Sequence, residues 1–429
     1  MAKAVLSNRI YLEVNATQQE EINKALTYTI PAYNDQIEPL VIKNMNVVRQ
    51  GLVSIPIGRT DLIPQGYSIV DKRVFAPIKF PEFRFPLRAS QQEVHDDIED
   101  NAILNATVSY GKTFTALAIA GKLKQKTLVV CHTVPLMNQW VKETEKVYGF
   151  TPGIIGSGKF NDSMPITIGS VQTLYNNIEK ISRSYGTLII DEMHHVSAPT
   201  FSRILDKSYA RYKIGLSGTI QRKDGKHVVF RDYFGNNVYQ PPSENAMTPE
   251  VHLVYTNIPF PDGQATPWAV RVNKLVNNEA YLHLVAMISA KYASEGHNVL
   301  MVSDRVEFIK AVVGLVGSNA VAVTGTTKNE DRDALIQSIG KTHNVLGGTQ
   351  SIFSEGMSHS PLSCLVLGTP VNNEPLLTQL IGRIQRLQEN KIQPVVVDIQ
   401  LVGNTASRQA LARLGHYIRQ GYRIKKIWI

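Results

Sequence analysis

The stretch Ala106-Thr107-Val108-Ser109-Tyr110-Gly111-Lys112-Thr113 decides which fold to expect of this chain. It continues an apolar, strand-like run that begins at Ala102, and a helical pattern follows from Lys112 to Lys124. A loop that joins a strand to a helix in this way aims backbone N–H groups and the positive helix N-terminus at a phosphate. The stretch therefore predicts a phosphate-binding loop in an α/β domain, with Ala106 in place of the first glycine of the general pattern.

Two side chains of this loop carry most of its expected chemistry. Lys112 places a point charge beside the β and γ phosphate oxygens, and the Thr113 hydroxyl can bind Mg²⁺. A chance triplet on a structural turn is the alternative, because Gly340-Lys341-Thr342 repeats three of these residues without the loop. The residues before the lysine are expected to line the phosphates: Ala106, Thr107, Val108, Ser109, Tyr110 and Gly111.

A second motif, Leu188-Ile189-Ile190-Asp191-Glu192-Met193-His194-His195, ends an apolar strand with two carboxylates. Ligands of parallel sheets bind at the carboxyl edge of the strands. Asp191 is expected to hold Mg²⁺, and Glu192 to orient and deprotonate the attacking water. His194 is expected to link the nucleotide site to its surroundings by hydrogen bonds. Zinc is not expected, because no other His or Cys has a suitable spacing. The two motifs predict an ATP hydrolase that uses ATP and Mg²⁺.

The chain around these motifs predicts two α/β domains in tandem. Short β-branched runs alternate with helical stretches from Ala102 onward, and a second such series begins after Pro259. The first eighty or so residues have strand-like pieces around one helical piece, which predicts a small α+β accessory domain. The expected domains are residues 1–84, 85–246 and 247–403, followed by a basic C-terminal helix or tail at 404–429. Leu411, Leu414 and Ile418 are expected to pack that helix inward as a cap on the second α/β domain, and contact of its basic residues with nucleic acid is the alternative.

Composition limits the classes of function. The 429 residues carry a formal net charge of +9 and a pI of about 9.3, which suits a polyanionic partner. The apolar runs are strand-sized, far below the roughly 18 residues that cross a bilayer, so no membrane span is expected. Both cysteines lie in apolar segments, and the N-terminus soon becomes polar. These features predict a cytoplasmic protein without disulfides.

The residues resemble superfamily 2 helicases of the DExH type, in particular the UvsW-like and XPB-like branch of DNA translocases, from Phe85 to Gly421. Leu87-Arg88-Ala89-Ser90-Gln91 is similar to the adenine-reading motif, which implies nucleotide contacts for Arg88 and base contact for Gln91. Gly215-Leu216-Ser217-Gly218-Thr219 resembles the motif that couples nucleotide state to the track, which implies that role for Ser217 and Thr219. The family more often has Ala at position 218 and Pro at position 220.

The same resemblance implies a set of nucleic-acid contacts and a second group of catalytic residues. The contacts are expected at the motifs that grip a nucleic-acid backbone: Thr133, Pro135 and Gln139, then Ser170 and Gln172, then Ser303, Thr349 and Gly356. Gln379-Leu380-Ile381-Gly382-Arg383-Ile384-Gln385-Arg386 matches motif VI, which implies catalytic roles for Gln379, Arg383 and Arg386. On a helix, these three and Gly382 would share one face.

The resemblance implies an ATP-dependent DNA helicase or translocase that remodels or branch-migrates duplex or branched intermediates of recombination and repair. The protein is expected to be a DNA-associated monomer, and a compact motor of this kind fits a phage or small microbial genome. Arg386, with Arg383, would act as an arginine finger on the γ-phosphate. A DExH RNA helicase is the first alternative, because this core tracks either backbone and nothing in the sequence reads a 2′-hydroxyl. A non-catalytic nucleic-acid binder is the second, but it would require the loss of a lysine, carboxylate or arginine that this chain retains.

Overall fold

The computed structural model describes residues 2–30, 38–107, 110–195, 199–218, 226–242, 244, 246–261, 266–354 and 361–429. These residues form two compact units. One lies within Met1–Thr107 and Gly111–Pro242, and the other within Ser243–Ile429 together with Val108–Tyr110. The division falls near the expected domain boundary at 246/247. The expected accessory domain lies inside the first unit.

A five-stranded sheet begins the first unit, in the order β5-β6-β2-β1-β7, and β3 and β4 form a separate hairpin. Its apolar core includes Ile10, Leu12, Val53 and Ile55, and Asn15 caps the single helix. The region is therefore mixed α and β, as expected. Its elements are β1 (Lys3–Leu6), β2 (Ile10–Glu13), α1 (Ala16–Ala25), β3 (Thr27–Ile30), β4 (Leu40–Lys43), β5 (Asn46–Arg49), β6 (Leu52–Ile55) and β7 (Ser68–Asp71).

An eight-stranded sheet forms the rest of this unit, in the order β11-β10-β12-β9-β13-β14-β8-β15. Only the β10–β11 pair is antiparallel, so the other strands end at the same edge. The elements are α2 (Ala89–Asp97), β8 (Ala102–Asn105), α3 (Lys112–Leu123), β9 (Thr127–Cys131), α4 (Val134–Tyr148), β10 (Gly153–Gly156), β11 (Lys159–Phe160), β12 (Ile166–Ser170), α5 (Val171–Ile181), β13 (Thr187–Ile190), α6 (Pro199–Lys207), β14 (Tyr212–Ser217), α7 (Phe230–Phe234) and β15 (Val238–Tyr239).

A buried carboxylate ties the N-terminal sheet region to this larger sheet. The Asp232 side chain on α7 is fully buried and accepts hydrogen bonds from Tyr28 Oη and Asn44 Nδ2, both at 2.7 Å. Arg59 Nη1 lies 3.3 Å from the same carboxylate, and the Gly58 N–H donates to the Asp232 carbonyl. Burial raises the pKa of Asp232, and these partners oppose the rise. The N-terminal region is thus fixed to the first α/β sheet.

A seven-stranded parallel sheet organises the second unit, in the order β18-β19-β17-β20-β21-β16-β22. The tandem α/β architecture is therefore confirmed. Across the ranges that the structure describes, no helix is both long and apolar enough to cross a membrane. The elements are β16 (Glu250–Pro259), α8 (Trp268–Val276), α9 (Glu279–Ser294), β17 (Val299–Ser303), α10 (Val306–Val316), β18 (Ala320–Val323), α11 (Asn329–Gln337), β19 (Val345–Thr349), α12 (Gln350–Ser354), β20 (Cys364–Leu367), α13 (Glu374–Ile384), β21 (Val395–Val402), α14 (Asn404–Arg419) and β22 (Arg423–Trp428).

The face that α14 turns inward differs from the expected one. Leu411 and Ile418 are 66% and 62% exposed, so the expected inward packing of these two residues is wrong, and Leu414 is only partly buried. The buried face instead carries Arg413, whose Nε and Nη2 both donate to the Asp398 carboxylate at 2.8 Å. The Arg413 guanidinium and the Asp398 carboxylate are both buried and pair with each other, as buried charges must, so the inward face of α14 carries an ion pair.

Two further basic residues of the C-terminal segment pair with carboxylates from earlier elements. Arg419 bonds to Glu374, and Arg423 bonds to Glu250. The chain then ends in β22, which adds to the edge of the sheet beside β16. The basic tail expected after Asp398 is therefore partly neutralised by the fold, and it continues as a strand after the helix.

Lys213 is a buried amine in β14. Its side chain is fully buried and its Nζ donates to the Ser208 carbonyl at 3.1 Å. Burial lowers its pKa to about 7, and the charge of Arg73 acts in the same direction. The folded unit therefore binds this proton less tightly than the unfolded chain does.

Loss of the Asp232 carboxylate is expected to destabilise the first unit. Asp232→Ala leaves Tyr28, Asn44 and Arg59 without their shared acceptor and should lower the free energy of unfolding by roughly 3–5 kcal/mol. Asp61→Ala is the matched control, because Asp61 also pairs with Arg59 but is exposed, and it should cost under about 1 kcal/mol. Urea unfolding measures both, and equal losses would contradict the assignment.

Lys213 should make stability rise with pH. Between about pH 7 and about pH 10 the unfolded chain holds this proton and the folded chain does not, so the free energy of unfolding gains about 1.4 kcal/mol per pH unit. Lys213→Met lacks this contribution. As pH rises, the free energy of unfolding of the wild type, measured with urea, should therefore increase relative to that of Lys213→Met. A difference that is independent of pH would overturn the interpretation.

Candidate nucleotide site and nucleic-acid interface

The loop before α3 has a backbone that only glycine fits well. Gly111 caps the helix with φ at 88°, in the left-handed region. A Cβ added there would lie 3.0 Å from Gln91 Nε2. Gln91 is buried on α2, and its Oε1 accepts from the Arg88 N–H at 3.1 Å. The structure thus places the expected base-reading glutamine directly against the phosphate loop.

Lys112 and Thr113 occupy the first turn of α3, directly after the loop. The Lys112 Nζ donates to the Ala106 carbonyl at 2.9 Å and lies 3.4 Å from the Thr107 carbonyl. The Ala106 N–H donates to the Ser217 carbonyl at the end of β14, which holds the loop against the neighbouring strand. Tyr110 immediately precedes Gly111, while Val108 and Ser109 lie outside the described residues.

Asp191 follows β13 and is almost fully buried. Its Oδ2 accepts from the Trp140 indole N–H at 2.8 Å, and its Oδ1 accepts from the Glu192 N–H at 3.0 Å. Burial raises the pKa of Asp191 and the neighbouring Glu192 carboxylate adds to the rise, while Trp140 and Lys112 oppose it. Because β13, β14 and β8 are parallel neighbours, Asp191 after β13 and the phosphate loop after β8 lie at the same edge of the sheet.

Glu192 has a strained backbone and a charged environment. Its φ is 49°, in the left-handed region that non-glycine residues adopt at a cost of about 1–3 kcal/mol, often at functional sites. The Glu192 Oε2 lies 3.3 Å from His194 Nδ1. Burial favours the neutral acid, but His194, Lys112 and His132 outweigh it and lower the pKa of Glu192. Glu192 is thus an ionised carboxylate that can accept a proton from water.

The residues expected to couple the site to its surroundings lie close to these carboxylates. His194 approaches Glu192, and Ser217 is fully buried at the end of β14, paired with Asn105 of β8. Gly215 of the same strand packs closely against Met193, which follows Glu192. Thr219 lies outside the described residues.

Two helix N-termini carry the expected nucleic-acid contacts of the first unit. Thr133 caps α4 by accepting from the Leu136 N–H, and Pro135 lies in its first turn. Ser170 caps α5 by accepting from the Thr173 N–H. Because β9 and β12 are parallel neighbours, both helix starts lie at the same sheet edge as the carboxylates. Gln139 is half-buried on α4, and Gln172 is exposed on α5.

The expected nucleic-acid residues of the second unit differ in accessibility. Ser303 ends β17 fully buried, and its hydroxyl accepts from the Arg305 N–H and from Thr369 Oγ1. Thr349 ends the adjacent strand β19 and is partly exposed. The structure therefore makes Thr349, and not Ser303, available to a backbone. Gly356 lies outside the described residues.

The motif VI residues are divided between a helix and the segment that follows it. Helix α13 ends at Ile384, so only Gln379, Gly382 and Arg383 share its face, and the expectation that Arg386 does so is wrong. Arg386 instead bridges to Ala246. The bridge directly follows the end of the helix, and the neighbouring Met247 N–H donates to the Gln385 carbonyl. Arg383 is buried, and its Nε donates to the Phe353 carbonyl at 2.8 Å.

Sequence reasoning missed two side chains at the carboxylates. His132 lies close enough to lower the pKa of Glu192, and Trp140 donates to Asp191. A signal was present for His132, because it directly follows strand β9 at the edge where the site forms. Trp140 carried no such signal, since an apolar residue on a helix is ordinarily a core residue.

The residues present fit a magnesium nucleoside triphosphate. Gln91, which lies against Gly111, suits the base. Lys112 in the first helical turn suits the phosphates, and the ionised Glu192 suits the attacking water. Mg²⁺ is commonly held by one or two protein groups together with phosphates, and Thr113 and Asp191 supply such groups. Within the described ranges, no cluster of three or more His, Cys, Asp and Glu side chains could hold a metal on its own.

Comparison with known proteins identifies the family. Residues 84–222 match the family described as the type III restriction enzyme res subunit. The chain is 39% identical over 429 residues to probable helicase D10 of Escherichia phage T5, covering 98% of this chain and 95% of that protein. It is 34% identical over 143 residues to the DNA 3'-5' translocase XPB2 of Sulfurisphaera tokodaii, covering 33% of this chain and 32% of that one.

A solved structure shares the fold. The ATP-dependent type ISP restriction-modification enzyme LlaBIII bound to DNA aligns with a TM-score of 0.59 at 13% identity, over 82% of this chain and 32% of that one. The near full-length similarity to the phage helicase, together with the phosphate loop and paired carboxylates, makes the chain an ATP-hydrolysing enzyme. It belongs to the superfamily 2 helicases of the UvsW-like and XPB-like kind.

Proposed function

We propose that this helicase is a DNA translocase that moves on duplex or branched DNA and remodels or branch-migrates recombination and repair intermediates. The observation that carries the proposal is the single sheet edge of the first unit. It holds the Lys112 loop, the Asp191 and Glu192 carboxylates and the N-termini of α4 and α5. The XPB2 relative, named as a DNA translocase, supports DNA as the track.

ATP binding and hydrolysis are assigned to residues of that edge. Gln91 and Arg88 hold the base side, the loop from Ala106 to Gly111 and Lys112 hold the phosphates, and Glu192 accepts the proton of the attacking water. Thr113 and Asp191 would hold Mg²⁺, which neutralises charge on the phosphate oxygens when bound. The low pKa of Glu192 keeps it in the basic form at neutral pH.

Motif VI is proposed to complete the ATPase. Arg386 is the better arginine finger of the two, because it lies beyond the end of α13, whereas Arg383 is buried with its Nε bonded to the Phe353 carbonyl. Arg383 then serves to hold motif VI beside α12. Gln379 shares the helical face with Arg383 and is proposed to act with it.

Contact with DNA is proposed through its phosphates. Helix N-termini attract anions by their unpaired N–H groups and the helix dipole, and α4 and α5 present two such termini side by side. Thr349 is proposed to contribute from the second unit. Such contacts position a backbone and carry no sequence information. The net charge of +9 adds a salt-dependent attraction.

Polymer-dependent ATP hydrolysis tests the proposed track. We expect branched or duplex DNA to stimulate hydrolysis more than single-stranded DNA does, RNA to stimulate weakly, and Lys112→Ala to abolish the activity because it removes the phosphate-binding charge. Steady-state phosphate release with each polymer measures this. Stimulation by RNA alone would favour an RNA helicase, and hydrolysis indifferent to every polymer would contradict a translocase.

Glu192→Gln should separate ATP binding from hydrolysis. The amide keeps the size of the side chain but cannot accept the proton, so turnover should fall by about 10²-fold or more while nucleotide affinity is retained. Glu143→Gln, on the surface of α4, is the matched control and should leave both unchanged. Nucleotide titration together with single-turnover hydrolysis measures the two properties. Retained turnover in Glu192→Gln would assign the base to another group.

A further inference from the structure

We propose that Trp140 is a positioning residue that links the DNA-binding end of α4 to the Asp191 carboxylate. This inference rests on the proposed function, since it takes Asp191 as the Mg²⁺-holding carboxylate and the start of α4 as a backbone contact. It assigns to one indole both the orientation of Asp191 and the transmission of DNA contact to the nucleotide site.

The hydrogen bond has the features of a fixed link. Trp140 is fully buried, and its Nε1 donates to Asp191 Oδ2 at 2.8 Å. The other carboxylate oxygen accepts from the Glu192 N–H. An indole N–H can only donate, so it cannot exchange roles with the carboxylate. Each oxygen therefore has a defined donor, and the plane of the carboxylate is set.

The position of Trp140 along α4 makes it a mechanical link as well. It lies seven residues after the capping Thr133, which is about two helical turns or roughly 10 Å along one helix. The far end of the same helix is anchored, because Tyr148 Oη donates to the Leu117 carbonyl of α3 at 2.7 Å. Gly121 of α3 also leaves no room for a side chain beneath that tyrosine.

The two ends of α4 make different contacts, although Leu136 and Met137 near its start are buried as Tyr148 is near its end. The Tyr148 end is held against α3, the helix that begins at Lys112, while the Thr133 end is available to a DNA phosphate. A small movement of the start of α4 about the anchored end would shift the indole, and the buried Asp191 must follow it or lose its donor. A buried carboxylate oxygen without a hydrogen-bond donor is costlier in free energy than a small rotation of the Asp191 side chain. The carboxylate is therefore expected to follow the indole.

Trp140→Phe tests the link because it keeps an aromatic ring and removes only the N–H donor. The Mg²⁺ concentration needed for half-maximal hydrolysis should rise about tenfold, the scale on which residues behind a metal ligand act. The fold-stimulation by branched DNA should also fall. Thr144→Val on the same helix is the matched control: it removes a buried side-chain hydrogen bond to the Trp140 carbonyl, keeps the indole N–H and the Tyr148 anchor, and should change neither quantity.

The fluorescence of Trp140 tests whether the indole responds to bound nucleotide and DNA or only packs in the core. This measurement does not depend on ATP turnover. The chain has three tryptophans, so Trp268→Phe with Trp428→Phe leaves Trp140 as the single indole. Its emission should change when Mg²⁺ and a non-hydrolysable ATP analogue bind, and again when branched DNA binds. This variant keeps Trp140 and decides the question if Trp140→Phe fails to fold.

The outcomes distinguish this inference from the proposed function. If the wild type is not stimulated by any DNA, the proposed function fails, and the positioning role is then judged by Mg²⁺ dependence alone. If DNA stimulates the wild type but Trp140→Phe behaves like Thr144→Val in both Mg²⁺ dependence and stimulation, the indole only packs. An emission that responds to neither nucleotide nor DNA would likewise overturn the link.

Discussion

Parallel strand pairing is the constraint on which the rest of this structure depends. Because β8, β9, β12, β13 and β14 run in the same direction, their carboxyl ends meet at one edge, and every loop that leaves them begins there. The phosphate loop, the paired carboxylates and the starts of α4 and α5 come from distant parts of the chain. The order and direction of the strands place these groups at one edge of the sheet.

Buried carboxylates then fix the elements that the sheet leaves free to rotate or tilt. Asp232 holds the N-terminal sheet region through Tyr28, Asn44 and Arg59, and Asp398 orients α14 through Arg413. Each of these charges is costly to bury unless it is paired, so each permits few arrangements of its neighbours. Asp191 differs from them because burial and Glu192 both raise its pKa, a combination that suits a site where a cation binds.

The candidate nucleotide site combines closely packed residues with a helix that leads to one of its carboxylates. Gly111 and Gln91 set the cradle, and Glu192 is held in a strained backbone beside His194. Helix α4 runs from the partly exposed Thr133 to the buried Trp140 that donates to Asp191, so the proposed DNA contact and the carboxylate share one element. A translocase of the proposed kind needs such a connection, since ligands shift conformations only through interactions that differ between states.

Sequence alone predicted several strands, among them Thr127–Cys131 and Thr187–Ile190, and the tandem α/β plan, because these depend on local patterns of apolar runs. It missed β16 and β22, since the second series of strands was expected only after Pro259. It also indicated the α+β character of the N-terminal region. Tertiary structure decided the rest. Trp140 and Asp191 are 51 residues apart, Arg413 turns α14 away from its leucine face, and a bridge to Ala246 removes Arg386 from the helix of Arg383. These contacts depend on which residues, distant in sequence, are buried beside one another. The periodicity of a single segment does not contain that information.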